Sequence, residues 1–198
     1  MGAMNLFEKS LEDAGQMSRE AFGSRYRGLY LKGFVPETDD EGEPGFFTGV
    51  ISEKSLKRML EEARALDDPG TKTDKPVVFP GPFVVEIAKH EVNSWASWVS
   101  VGRAENNDIA FLHSSISKLH ARFHVDEESE GPRVLLVTDM GSKLGTSLNG
   151  KLLERSRAEV ISPGDSLRFG EIDSLVLDGP NLYDRLVTPS FARGSTTL

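Results

Sequence analysis

Arg103, Ser117, Lys118 and Lys143 are the side chains of this sequence whose types suit a phosphate. A guanidinium makes a bidentate, charge-assisted contact, a serine hydroxyl donates one more hydrogen bond, and an ammonium adds a point charge. Gly102-Arg103 closes the apolar run 98–101. The stretch S-S-I-S-K-L-H-A-R-F, Ser114–Phe123, enters another run, and D-M-G-S-K-L-G-T-S-L-N-G, Asp139–Gly150, separates two more. The bland reading stands beside this one: Arg103 and Lys143 as solvated loop cations, Ser117 capping a turn, Asp139 organising its own turn. Other chemistries fit worse. Ser117, His120 and Asp139 name a hydrolytic triad, but Ser117 and His120 share one strand entry and no G-x-S-x-G elbow exists. His120 and His124 would meet on a helix; on a strand they stand ~13 Å apart, too far to share a metal. No dinucleotide or P-loop glycine run is present.

The elements that must position these residues change in texture along the chain. Phe7, Leu11, Ala14, Met17 and Ala21 recur at helical spacing and predict a helix over 6–22, with Gly23 as its stop. Residues 35–47 are acidic and turn-rich. Leu56, Met59, Leu60, Ala63 and Leu66 predict a second helix over about 53–66, ended by Pro69-Gly70, and residues 67–75 read as a linker. From Val77 onward short β-rich runs alternate with turn signals: 83–87, 98–101, 109–112, 121–125, 134–138, 146–148, 166–169 and 174–177. Asn149-Gly150 is a strong hairpin signal, because both residues tolerate positive φ. So many short strands without intervening helices predict antiparallel sheets packed face to face. Residues 181–186 predict a short helix, and residues 188–198 a loose tail. Trp95 and Trp98 cover the sandwich edge or the N-terminal helices, or else form a partner-binding patch.

Composition narrows the function. The 198 residues are 38% hydrophobic and 27% charged, with a net charge of −8. That balance argues against non-specific nucleic-acid binding, which needs a basic surface to release counterions, and against docking on anionic membrane. No cysteine is present, which excludes disulfides, thiol catalysis and cysteine zinc sites and points to a reducing cytoplasm. No apolar run reaches the roughly 20 residues that span a bilayer.

The order and intervals of the motifs add a resemblance. Gly102-Arg103, Asp108-Ile109, Ser117-Lys118-Leu119-His120-Ala121, Asp139-Met140-Gly141-Ser142, Gly145-Thr146, Asn149-Gly150 and the run Pro163–Gly170 together resemble the forkhead-associated (FHA) domain over roughly residues 80–180. The resemblance implies an eleven-stranded antiparallel β-sandwich at residues 77–180. A helical and loop extension at 1–76 would precede it, and a short helix with a tail at 181–198 would follow. It also implies a non-catalytic module that binds phosphothreonine peptides through loops at one end. Arg103 and Ser117 match the family's phosphate-binding residues, and Lys118, Lys143 and Leu144 fall in the contacting loops. His120 matches a bracing histidine, with Gly102, Gly145, Thr146 and Asn149 supporting the site. Leu144 departs from the pattern, for the family places there an Asn that hydrogen-bonds the peptide backbone. No cofactor or metal is implied. The implied partner is a phosphothreonine protein, a Ser/Thr kinase or its substrate, in a bacterial-type cytoplasmic signalling setting. The alternative is an interaction domain on the same fold that needs no phosphate.

Overall fold

The computed structural model describes residues 6–37, 76–90, 97–126 and 134–188. The second predicted helix, the acidic loop beyond residue 37, the linker, Trp95, the turn 127–131 and the tail from residue 189 lie outside the described residues.

Two six-stranded sheets pack face to face. The first has the order β3-β1-β12-β11-β8-β9, built from β1 (Leu29–Val35), β3 (Gly81–Glu86), β8 (Thr146–Leu148), β9 (Lys151–Leu152), β11 (Ser166–Phe169) and β12 (Ile172–Asp178). The second has the order β10-β7-β6-β4-β5-β2. Its members are β2 (Val77–Val78), β4 (Val99–Gly102), β5 (Ile109–Phe111), β6 (Ala121–Asp126), β7 (Val134–Asp139) and β10 (Ala158–Ile161). Alternating inward residues of both sheets meet in one core, in which Leu31, Phe83, Phe111, Phe123, Leu167 and Phe169 are almost wholly shielded from solvent. Full burial of such side chains contributes about 1.5–3 kcal/mol each. The sandwich predicted from the strand spacing is therefore present, with one modification. β5 runs parallel to both β4 and β2, so the second sheet is mixed. The short strand makes this possible: it spans only ~10 Å, and the six-residue link 103–108 reaches far enough to return the chain beside β4.

Among the described residues, three helices cover the outer face of the first sheet: α1 (Leu6–Gln16), α2 (Arg19–Arg25) and α3 (Gly179–Val187). Where the apolar spacing predicts one helix over 6–22, the chain breaks at Ser18, whose Oγ accepts from Ala21 N–H at 3.2 Å as an N-cap, and Gly23 lies inside α2 rather than ending it. Phe22, Tyr26, Leu182 and Tyr183 pack with Tyr30, Val84 and Leu177 from the strands beneath.

Strand β1 corrects the boundary expected at residue 76. Residues 29–35 form a central strand, paired on one side with β12 and on the other with β3. L-Y-L-K-G-F-V carries no clean alternation because both faces are covered: Leu31 enters the sandwich core while Tyr30 enters the helical layer. The sandwich thus includes part of the predicted extension. The short strands β2, β9 and β10 also lack a signal in the sequence.

Candidate functional site

Three connections meet at one end of the sandwich: 103–108 after β4, 112–120 after β5, and 140–145 after β7. The first two are tied backbone to backbone, Arg103 N–H donating to Ser117 O at 2.9 Å and Ala104 N–H to Lys118 O at 3.2 Å. Asn107, buried and read from the sequence only as a turn residue, donates from Nδ2 to both Ala104 O and Lys118 O at 2.7 Å. Gly102 must be glycine for this approach, because a Cβ there would strike the Lys118 carbonyl oxygen and the Asn107 amide. Asp108 anchors the far end of the first loop. Burial alone would raise its pKa, but donors from Ser100, Lys89 and His90 outweigh it and hold the carboxyl below its ordinary value.

Arg103 is half-buried, and its Nε donates to Ile116 O at 3.2 Å. That bond fixes the guanidinium plane, and its two terminal nitrogens have no hydrogen-bond partner among the described residues. Ser117 Oγ accepts from Lys143 N–H at 2.9 Å, so its own proton stays available to donate. His120 is fully buried between the loops. Its Nδ1 accepts from Ser117 N–H at 3.1 Å, which leaves the proton on Nε2 to donate to Gly145 O at 3.1 Å. Burial lowers its pKa against the smaller opposing effects of the Gly145 carbonyl and Asp139, favouring the neutral ring.

The third loop is organised by Asp139. Its carboxylate accepts from Ser142 Oγ at 2.6 Å, Thr146 Oγ1 at 2.8 Å, and the N–H groups of Gly141 and Ser142 at 2.9 and 3.0 Å. Burial pushes its pKa up, and these four donors together bring it below the usual value. Gly145 takes φ 82°, the left-handed turn that returns the chain into β8.

The fold thus brings Arg103, Ser117, Lys118 and Lys143 to one rim, braced by Gly102, His120, Gly145 and Thr146. Lys118 and Lys143 are exposed and have no carboxylate partner among the described residues. Leu144 is 49% exposed at the loop tip. Asn149 departs from its expected supporting place. It sits at the opposite end of β8, where Nδ2 donates to Asp165 and Oδ1 accepts from Ser166 N–H, bracing the hairpin turn against the start of β11. At strand spacing it lies ~13 Å from Gly145. Two residues without any sequence signal come to the loop instead. Leu152, 62% exposed, lies across Gly145, where an added Cβ would come within 2.5 Å of its Cδ1. Arg155 reaches toward Ser142 O at 3.5 Å. Leu152 lies in the two-residue strand β9, and Arg155 lies between β9 and β10.

The triad residues are adjacent without forming a triad. His120 Nδ1 is engaged by the Ser117 backbone, not its hydroxyl, and Asp139 serves its own loop. No cluster of three metal-ligating side chains occurs among the described residues.

The chain is similar to known proteins over part of its length. Residues 99–170 match the family model described as FHA domain, which covers β4 through the turn after β11. Over that segment the chain is therefore similar to FHA domains. Over 94 residues it is 33% identical to "Germ layers disorganized gldi-3" of Caenorhabditis elegans, a match covering 43% of this chain and only 10% of that protein. Similar solved structures include the MEK1 FHA domain with a HOP1 phosphothreonine peptide, at 26% identity and TM-score 0.40, covering 48% of this chain and 88% of that one. Another is the FHA domain of an Arabidopsis thaliana hypothetical protein, at 32% identity and TM-score 0.37, covering 41% and 67%.

Proposed function

We propose that this chain binds phosphothreonine peptides without catalysing a reaction on them, and so joins a partner protein to the rest of its assembly after Ser/Thr-kinase phosphorylation. The observation that carries the reading is Arg103. Its Nε donates to Ile116 O, its two NH2 groups have no hydrogen-bond partner among the described residues, and its backbone is tied to Ser117, whose hydroxyl accepts from Lys143 N–H and keeps its proton to donate. A phosphate dianion accepts from both, and Lys118 and Lys143 add charge at the rim. Micromolar binding, about −8 kcal/mol, is within reach of such a clamp with a few backbone contacts. The partner is a phosphothreonine protein, a kinase or a kinase substrate. Bacterial origin and a cytoplasmic setting are sequence-level expectations on which this reading does not depend. What holds in the structure is that no helix among the described residues is long and apolar enough to cross a membrane.

Leu144 favours a second reading, an interaction domain that needs no phosphate. Its apolar side chain projects where the family pattern has a hydrogen-bonding Asn. Fluorescence anisotropy separates the two, using a phosphothreonine peptide library and its unphosphorylated twin. The expected outcome is phosphate-dependent binding that falls at least tenfold in Arg103→Ala. Equal binding of the twins would favour the second reading, and phosphate-dependent binding that survives Arg103→Ala would displace the site.

A further inference from the structure

Strand β1 carries Tyr30, Lys32 and Phe34 on the face turned away from the sandwich core, because side chains alternate along a strand. The three are covered unequally. Tyr30 is 3% exposed beneath the helices, Lys32 is half-buried, and Phe34 is 56% exposed. Strand register sets their neighbours: Val84 and Leu175 flank Lys32, and Pro82 and Asp173 flank Phe34. Val84 and Leu175 belong to the apolar layer that the helices close, as does Leu186 of α3. The helical cover therefore gives out between Lys32 and Phe34, and the phenyl ring and Pro82 are left on the open part of the sheet. β12 and β11 separate β1 from β8, the strand that leaves the phosphate rim, so this face is a different surface.

Charge sets this spot apart from an ordinary exposed phenylalanine. Lys32 has no hydrogen-bond or ion-pair partner among the described residues. Burial lowers its pKa, and Arg185 in the last turn of α3 lowers it further. Arg185 is exposed and likewise has no carboxylate partner among the described residues. The adjoining acids are engaged elsewhere: Asp184 pairs with Arg19 at 2.8 Å, and Asp173 with Arg168 at 3.7 Å. Two cations thus stand together beside an apolar floor, in a chain whose net charge is −8. A half-buried ammonium without an anion is unfavourable, and a carboxylate brought to it favours the charged form again. Lys32 and Phe34 stand about 7 Å apart at strand spacing, and an extended segment laid along β1 presents alternate residues at the same interval.

We propose that this face of the first sheet docks an acidic, unphosphorylated segment of a partner protein, in which Asp or Glu stands two residues from a large apolar side chain. The carboxylate meets Lys32 and Arg185, and the apolar side chain packs on Phe34 and Pro82. The proposal does not rest on the phosphothreonine reading. Short unphosphorylated peptides with Glu and Phe at alternate positions are titrated into the isotope-labelled full chain, and amide shifts are followed by NMR. Binding should be roughly millimolar. Shifts should move at Lys32, Phe34, Leu175 and Arg185 and stay still at Arg103, Ser117 and Lys143. Replacing the peptide Glu by Gln should weaken binding about two- to fivefold, the range of an exposed ion pair. Lys32→Gln should do the same, and the two changes together should cost little more than either alone. Arg185→Gln, at an exposed position, repeats the test if Lys32→Gln does not fold. No shifts on this face, equal binding of the Glu and Gln peptides, or shifts at Arg103 and Ser117 instead would overturn the proposal. Carbodiimide coupling tests the other occupants. A link from Lys32 to the peptide Glu supports the proposal. A link from Lys32 in the free protein to a carboxylate of residues 37–43 of the same chain, or to a second, differently labelled copy, shows the face already covered and overturns it.

Discussion

At Leu144 the proposed phosphopeptide site departs from the family pattern by a single side chain. The leucine is 49% exposed beside Lys143, whose N–H reaches Ser117 Oγ, so it lies at the rim where phosphate binding is proposed. It offers no hydrogen bond there. One such bond contributes about 0.5–1.5 kcal/mol, so Leu144→Asn is expected to tighten phosphothreonine-peptide binding about two- to tenfold. Isothermal titration with one peptide checks this, and an unchanged affinity would place Leu144 away from the peptide. Exposure also means the substitution should leave thermal stability nearly unchanged.

The loop between β7 and β8 is held as a unit by Asp139. Four donors end on one buried carboxylate, so the loop's shape does not rest on its own backbone pairing. Asp139→Ala leaves the hydroxyls of Ser142 and Thr146 and two backbone N–H groups without their acceptor. The expected loss is about 2–4 kcal/mol of stability, set by the desolvation of unpaired buried donors. Peptide binding should weaken in the same variant, because Lys143 is carried by this loop. Chemical denaturation and anisotropy measured together check both, and a fully stable variant would show that water replaces the carboxylate. The asparagine at the far hairpin has its own task, setting the register between β8 and β11.

The whole molecule combines these ties into a pH response. Burial lowers the pKa of both His113 and His120, the latter against the Gly145 carbonyl and Asp139, and the former against Glu171. Below about pH 6.5 the unfolded chain takes up protons that the folded chain refuses, so stability falls as pH falls from neutral. Asp108 and Asp139 act in a lower window. Their depressed values contribute stability that is complete above about pH 4 and lost as pH drops through the folded values. The melting temperature is therefore expected to decline from pH 7.5 to 5.5 and to drop again below pH 4. A His120→Gln variant should show a shallower first decline, and a flat profile from 7.5 to 5.5 would contradict the buried neutral ring.

The sequence by itself determined the strands that cover one core on one face. A run such as Ser166–Phe169 alternates because water lies on its other side, and the Asn149-Gly150 turn marks itself through its positive φ. It also placed Arg103, Ser117 and Lys143 at loop ends, since they stand beside glycines and turns. Only the tertiary structure decided what depends on a second covering layer or on contacts between distant segments. β1 escapes a period-two reading because helices bury its outer face and the core its inner one. Leu152 and Arg155 reach the site only because β9 and the turn at Ser156 fold back against Gly145 and Asp139. No local pattern in L-L-E-R-S-R encodes that neighbourhood. Leu152 comes to Gly145 across the local hairpin of β8 and β9, whereas Arg155 comes to Asp139 beside the pairing of β10 with β7, and hydrophobic periodicity carries no record of which strand will become that neighbour.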